Sequence, residues 1–95
     1  MKVIVSSKTL HTALKGLCLG GYSIKEVSAE NGLLTFTTDN KTSHLHCEIE
    51  SDMDKVTIAQ YNRRWDWVCE IVKCIPEQPV VLNITKNNVR ISMDC

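Results

Sequence analysis

AENGLLTFTTD, residues 29–39, occurs twice in this chain of 95 residues, the second time under a different spelling. Asn31-Gly32 is a tight-turn pair. After it, Leu34, Phe36 and Thr38 alternate with Leu33, Thr35 and Thr37, the two-residue period of a strand. Near the other end stands ITKNNVRISMD, residues 84–94. Laid over the first stretch without a gap, it sets Asn87 on Gly32, Val89 on Leu34, Ile91 on Phe36 and Asp94 on Asp39. One turn-and-strand pattern used twice predicts two copies of a supersecondary unit.

Working outward, the halves run from about 1 to 50 and from about 54 to 95. The polar, acidic ESDMD (residues 50–54) is the seam. The first half opens with the strand KVIVS, and Ser6 or Ser7 stands where a helix N-cap belongs. In SKTLHTALKGLCLGG, Leu10, Ala13, Leu14 and Leu17 fall on one helical face, and Gly20-Gly21 ends the helix. Strands follow at SIKEVSA, LLTFTT and SHLHCEIE. The second half repeats the order. KVTIA is a strand and YNRRWDWVCEIVKCI a helix with Val68, Ile71, Val72 and Ile75 on its apolar face. Asn62 is the expected cap, and Pro76 closes the helix or sits just past its end. PVVLNIT and VRISMD are strands about a turn at Asn87-Asn88. The first copy thus has three strands after its helix and the second two. The expected fold is α+β: one domain, with two helices packed on an antiparallel sheet of about seven strands.

Composition narrows the function. Eleven Lys and Arg balance eleven Asp and Glu, so no global positive field draws in nucleic acid, and any such contact needs a local basic patch. The opening MKVIVSS has too short an apolar run for a signal peptide, and nothing apolar approaches the length of a membrane span. The five cysteines are odd in number and lack framework spacing, which points to reduced thiols in the cytoplasm.

MKVIVSSKTLHTALKGL, NGLLTFTTDNKTSHLHCEI and WVCEIVKCIPEQPVVLNITKNNVRISM, in that order, resemble one domain of a DNA sliding clamp. The match is to the N-terminal domain of the bacterial DNA polymerase III beta subunit, and it runs over nearly the whole chain. The resemblance implies a doubled strand–helix–three-strand unit. It also implies helices lining a ring around duplex DNA and a role in tethering a polymerase, without a catalytic site. Three departures stand out. The last strand of a complete clamp domain is missing, as are the family's second and third domains. The segment before the second helix, with YNRRWDW, is longer than usual. The second helix carries acidic residues. A ring would then require self-association through sheet edges, with replication proteins as partners.

A clamp holds phosphates without reading bases, which calls for outward lysines and arginines. On the first helix the face opposite the leucines carries Lys8, His11, Thr12 and Lys15; the competing reading is an ordinary solvated face. On the second, Arg63, Asp66, Glu70 and Lys73 make a largely self-neutralised face, where Arg63 and Lys73 favour DNA and the carboxylates oppose it. Arg64 falls near the apolar side, where it can snorkel or belong to the loop. Trp65 lies with Val68 and Val72 and is expected in the core. Trp67 is offset, and is expected either to pack on a neighbouring strand or, with Arg64, to anchor a partner.

His44 and His46 share one strand face with Cys47 opposite, and no second ligand pair has metal-site spacing, so no metal is expected. No other cofactor is implied. No nucleophile–base arrangement and no phosphate-binding glycine loop occurs, which argues against an enzyme. The reading is a non-enzymatic sliding-clamp-like processivity or replication accessory protein. The alternative is a protein-interaction module on the same fold that leaves DNA alone.

Overall fold

The computed structural model describes residues 1–18, 23–50, 54–59 and 65–93. In chain order the elements are β1 (Lys2–Ser6), α1 (Ser7–Cys18), β2 (Glu26–Glu30), β3 (Leu33–Thr37), β4 (Thr42–His46), β5 (Glu48–Glu50), β6 (Lys55–Ala59), α2 (Trp65–Lys73), β7 (Pro79–Ile84) and β8 (Val89–Met93). The fold is α+β. The strands form two antiparallel sheets of four, ordered β5-β1-β7-β8 and β4-β3-β2-β6, in place of the single sheet of about seven expected from the sequence.

The division has a clear cause. The first strand of each half pairs into the other half, although β1 also keeps β5 of its own half beside it. β1 pairs with β7, and β6 pairs with β2. Each sheet therefore holds strands from both halves, and neither half closes a core alone. SHLHCEIE, read as one strand, changes sheets at Cys47. Up to His46 it lies on β3, and from Glu48 it lies on β1. The backbone N–H of Cys47 donates to the Gly32 carbonyl at the crossover, at 2.9 Å.

The internal repeat survives in the register. The sequence match is a constant shift of 55 positions, from Gly32 to Asn87. Under that shift, Lys2 opposite Asn83 becomes Thr57 opposite Ser28, which are also partners. Glu26 opposite Thr37 becomes Val81 opposite Ser92, again partners. The helices obey it too. Leu10, Leu14 and Leu17 are buried on α1, and their counterparts Trp65, Cys69 and Val72 are buried on α2. Because side chains alternate faces along a strand, a slip of one residue would have turned a whole strand inside out.

One core holds these parts together. Val3 and Val5 of β1, Val27 and Ala29 of β2, Leu34 and Phe36 of β3, and Val80, Leu82 and Ile84 of β7 meet the helix residues in a single cluster. The Trp65 ring meets Phe36 edge-on, with centroids 5.0 Å apart. Ile71 and Ile75, expected on the buried face of α2, are only half-buried; Trp65 and Cys69 occupy that face with Val68 and Val72.

Ser7 is buried, and its hydroxyl makes a long-range tie where a cap was expected. Oγ donates to the Pro76 carbonyl at 2.9 Å and accepts from the Gln78 N–H at 3.2 Å. The start of α1 is thereby fixed to the connection between α2 and β7. The expected cap Asn62, the glycines 20 and 21 and most of the seam (51–53) lie outside the described residues.

Candidate functional site

The helices pack against each other, and α1 also rests on β1 and β4. Their apolar stripes enter the common core, so their polar stripes face solvent. The stripe on α1 forms because Leu10, Ala13, Leu14 and Leu17 take the other side of a helix with 3.6 residues per turn. Lys8, Thr12 and Lys15 are exposed, and the Thr12 hydroxyl donates to the Lys8 carbonyl at 3.0 Å. His11, expected on the same open face, is half-buried.

On α2 the outward residues are Asp66, Trp67, Glu70 and Lys73. Lys8, Lys15 and Lys73 thus bring three positive charges to the helix layer, against two carboxylates. Arg63 and Arg64 lie outside the described residues. Trp67 is 53% exposed and, with Met93, is one of the two exposed large apolar side chains among the described residues. Trp65, two positions away, is 2% exposed. The two tryptophans therefore have opposite roles, one in the core and one at the surface.

The His44/His46 strand face is solvated. The Thr35 hydroxyl lies 2.9 Å from His44 Nδ1, and both imidazoles are exposed. Cys47 points the other way and packs against the core. Among the described residues no group of three or more His, Cys, Asp or Glu side chains is arranged to hold a metal. An open groove of about 530 Å³ includes Ile4, Thr9, His46, Cys47, Glu48 and Glu77 in its lining. Burial pushes the Cys47 thiol up to about 11, so it stays protonated near neutral pH and is a weak nucleophile there. Cys47 and Cys74 are free thiols. No helix among the described residues is long and apolar enough to cross a membrane.

The strand order identifies the strands at the sheet edges. β1 is flanked on both sides, by β5 and β7, while among the described residues its repeat mate β6 has a strand on one side only. β3 is flanked by β2 and β4, while among the described residues its mate β8 has β7 alone. Once β1 and β6 are known to exchange halves, the repeat shift identifies these two edges. The sequence itself carries no signal for that exchange. No family model, no curated protein and no solved structure matches this chain.

Proposed function

We propose that this chain is a non-enzymatic, sliding-clamp-like accessory protein of DNA replication. In this reading its helix layer rests against the phosphates of duplex DNA and copies associate through sheet edges. The observation that supports it most is the in-register doubling of strand, helix and antiparallel strands, the organisation implied by the resemblance of MKVIVSSKTLHTALKGL and its companion stretches to clamp domains. Exposed Lys8 and Lys15, two turns apart on α1, supply the phosphate contacts. With no net charge behind them, they give weak, salt-sensitive and sequence-independent binding, as a sliding contact requires.

The test is duplex binding across a salt series. Lys8→Glu with Lys15→Glu should abolish the binding, since about two phosphate contacts are lost and two repulsions gained. Equal affinity for wild type and the double variant would remove DNA from the reading.

A second reading has its own support. Trp67 is exposed between the carboxylates of Asp66 and Glu70. An open Trp flanked by acids repels phosphate and suits a protein partner, since tryptophans are over-represented among residues that dominate binding energy. In that reading Trp67→Ala abolishes capture of a replication protein, while the lysine substitutions change nothing.

A further inference from the structure

We infer that copies of this chain join through β5 of one and β6 of the next, in the register that sets Glu50 opposite Lys55. The inference rests on the self-association in the clamp-like reading and names the edges that carry it. β5 ends one sheet and β6 ends the other, so among the described residues each has one edge without a neighbouring strand. Open edges pair readily with a strand from another chain.

Charge selects these two edges and their register. Within one copy Lys2 on β1 stands opposite Glu50 on β5, with Nζ 3.3 Å from the carboxylate. Lys55 on β6 stands opposite Glu30 on β2, at 3.9 Å. Both pairs are exposed. Antiparallel pairing of β5 with β6 of the next copy, Glu50 against Lys55, joins the two pairs into one row across four strands. The charges then alternate: Lys2, Glu50, Lys55, Glu30. Opposite charges directly across a strand pair stabilise it, and like charges oppose it.

The same register matches the other face. The adjacent row becomes Val3, Ile49, Val56 and Ala29. Val3 and Ala29 are buried, and Ile49 and Val56, which meet at the junction, are half-buried. The core-facing sides of the joined sheets therefore coincide. A shift by two residues one way would bring Glu50 opposite Thr57 and lose the junction pair; the other way sets Glu48 opposite Lys55, but the row then runs Ile4, Glu48, Lys55, Glu30 and the alternation of four charges is lost. The other two open edges match less far: β4 presents Thr42, His44 and His46 outward, and β8 presents Arg90 with the neutral Asn83 behind it, so a row through Glu50 alternates over three strands and not four.

The contact is head-to-tail. Each junction leaves one β5 and one β6 open, so assembly continues past the dimer into a ring or a filament. The patch is small, and the association is correspondingly weak.

Sedimentation velocity over a concentration series tests this. Wild type should show species larger than a dimer as it approaches about 1 mM. Glu50→Lys and Lys55→Glu should each weaken assembly by about tenfold, since each sets like charges across the junction. Mixing the two variants should restore it, because Glu50 of the Lys55→Glu chain meets Lys55 of the Glu50→Lys chain. Restoration on mixing also shows that both variants are folded. A wild type that stays monomeric at about 1 mM overturns the inference. So do single variants that assemble like wild type, or a mixture that gains nothing. If assembly survives both substitutions, other edges carry it and the clamp-like reading stands. If duplex binding is lost while assembly obeys the charge swap, the DNA reading falls and this one remains.

Discussion

The two halves share a register but not an environment. Thr38 in the first half is buried, although it carries a hydroxyl; its counterpart Met93 is 54% exposed, although it is apolar. Phe36 is fully buried, and its counterpart Ile91 only half. The cause lies in the neighbours. Beside β3 runs β4, whose Leu45 is buried and whose Ser43 hydroxyl donates to the Ala13 carbonyl of α1 at 2.9 Å. Beside β8 no such strand stands among the described residues. In a doubled fold, the flanking strand sets burial at equivalent positions more firmly than the residue type does.

One side-chain contact that joins the halves is Trp65 on Phe36, a helix of the second half against a strand of the first. Trp65→Ala should cost about 3–5 kcal/mol in chemical denaturation. Its repeat mate Leu10 is equally buried but smaller, and Leu10→Ala should cost about 2–5 kcal/mol. Both losses should move one common transition, because β1 and β6 tie each sheet to both halves. Two separate transitions would mean that the halves stand independently and would break the comparison.

Much of this was legible beforehand because it is periodic. The shift from Gly32 to Asn87, the leucine stripe of α1 and the burial of Trp65 follow from local patterns that the structure keeps. The split of residues 42–50 was not legible. Ser43, Leu45, Cys47 and Ile49 all turn inward, so the alternation runs unbroken through the point where the strand changes sheets. What changes there is the neighbour, from β3 to β1, and a period of two carries no information about neighbours. Ser7 misled for a similar reason: a hydroxyl at a helix start suggests a local cap, yet its partners are Pro76 and Gln78. On the helix layer, the outward placement of Lys8, Lys15 and Lys73 was legible from the helical wheel; an open sheet edge was expected from the missing last strand, but which strands form the edges was not legible.

The turns allow a finer comparison. Asn31 and Gly32 adopt left-handed φ values of 51° and 76°. At the second turn no described residue does so. Gly32→Ala should cost about 1–2 kcal/mol, since an added Cβ is strained at that φ, and it would also lie 3.4 Å from the Cys47 carbonyl oxygen at the sheet crossover. Asn87→Gly at the equivalent position should bring no gain, because no left-handed strain is present to relieve. A thermal shift upward for Asn87→Gly would show that the second turn shares the geometry of the first.

The smallest effect is the sharpest test of the neighbour argument. Met93→Thr writes the first-half residue into the second half. Thr38 owes its burial to its setting: its hydroxyl donates to the Lys41 carbonyl and accepts from the Lys41 and Asn40 N–H groups. Met93 sits on an open edge, where its sulfur accepts from Gln78 Nε2. A threonine there leaves an exposed surface exposed, and the stability change should stay within about 0.5 kcal/mol. If burial instead followed residue type, removing an apolar side chain the size of methionine from a packed site would cost about 2–5 kcal/mol. A loss of that size would mean that Met93 is covered in solution by something beside β8, and the two halves would then be more alike than their strand neighbours indicate.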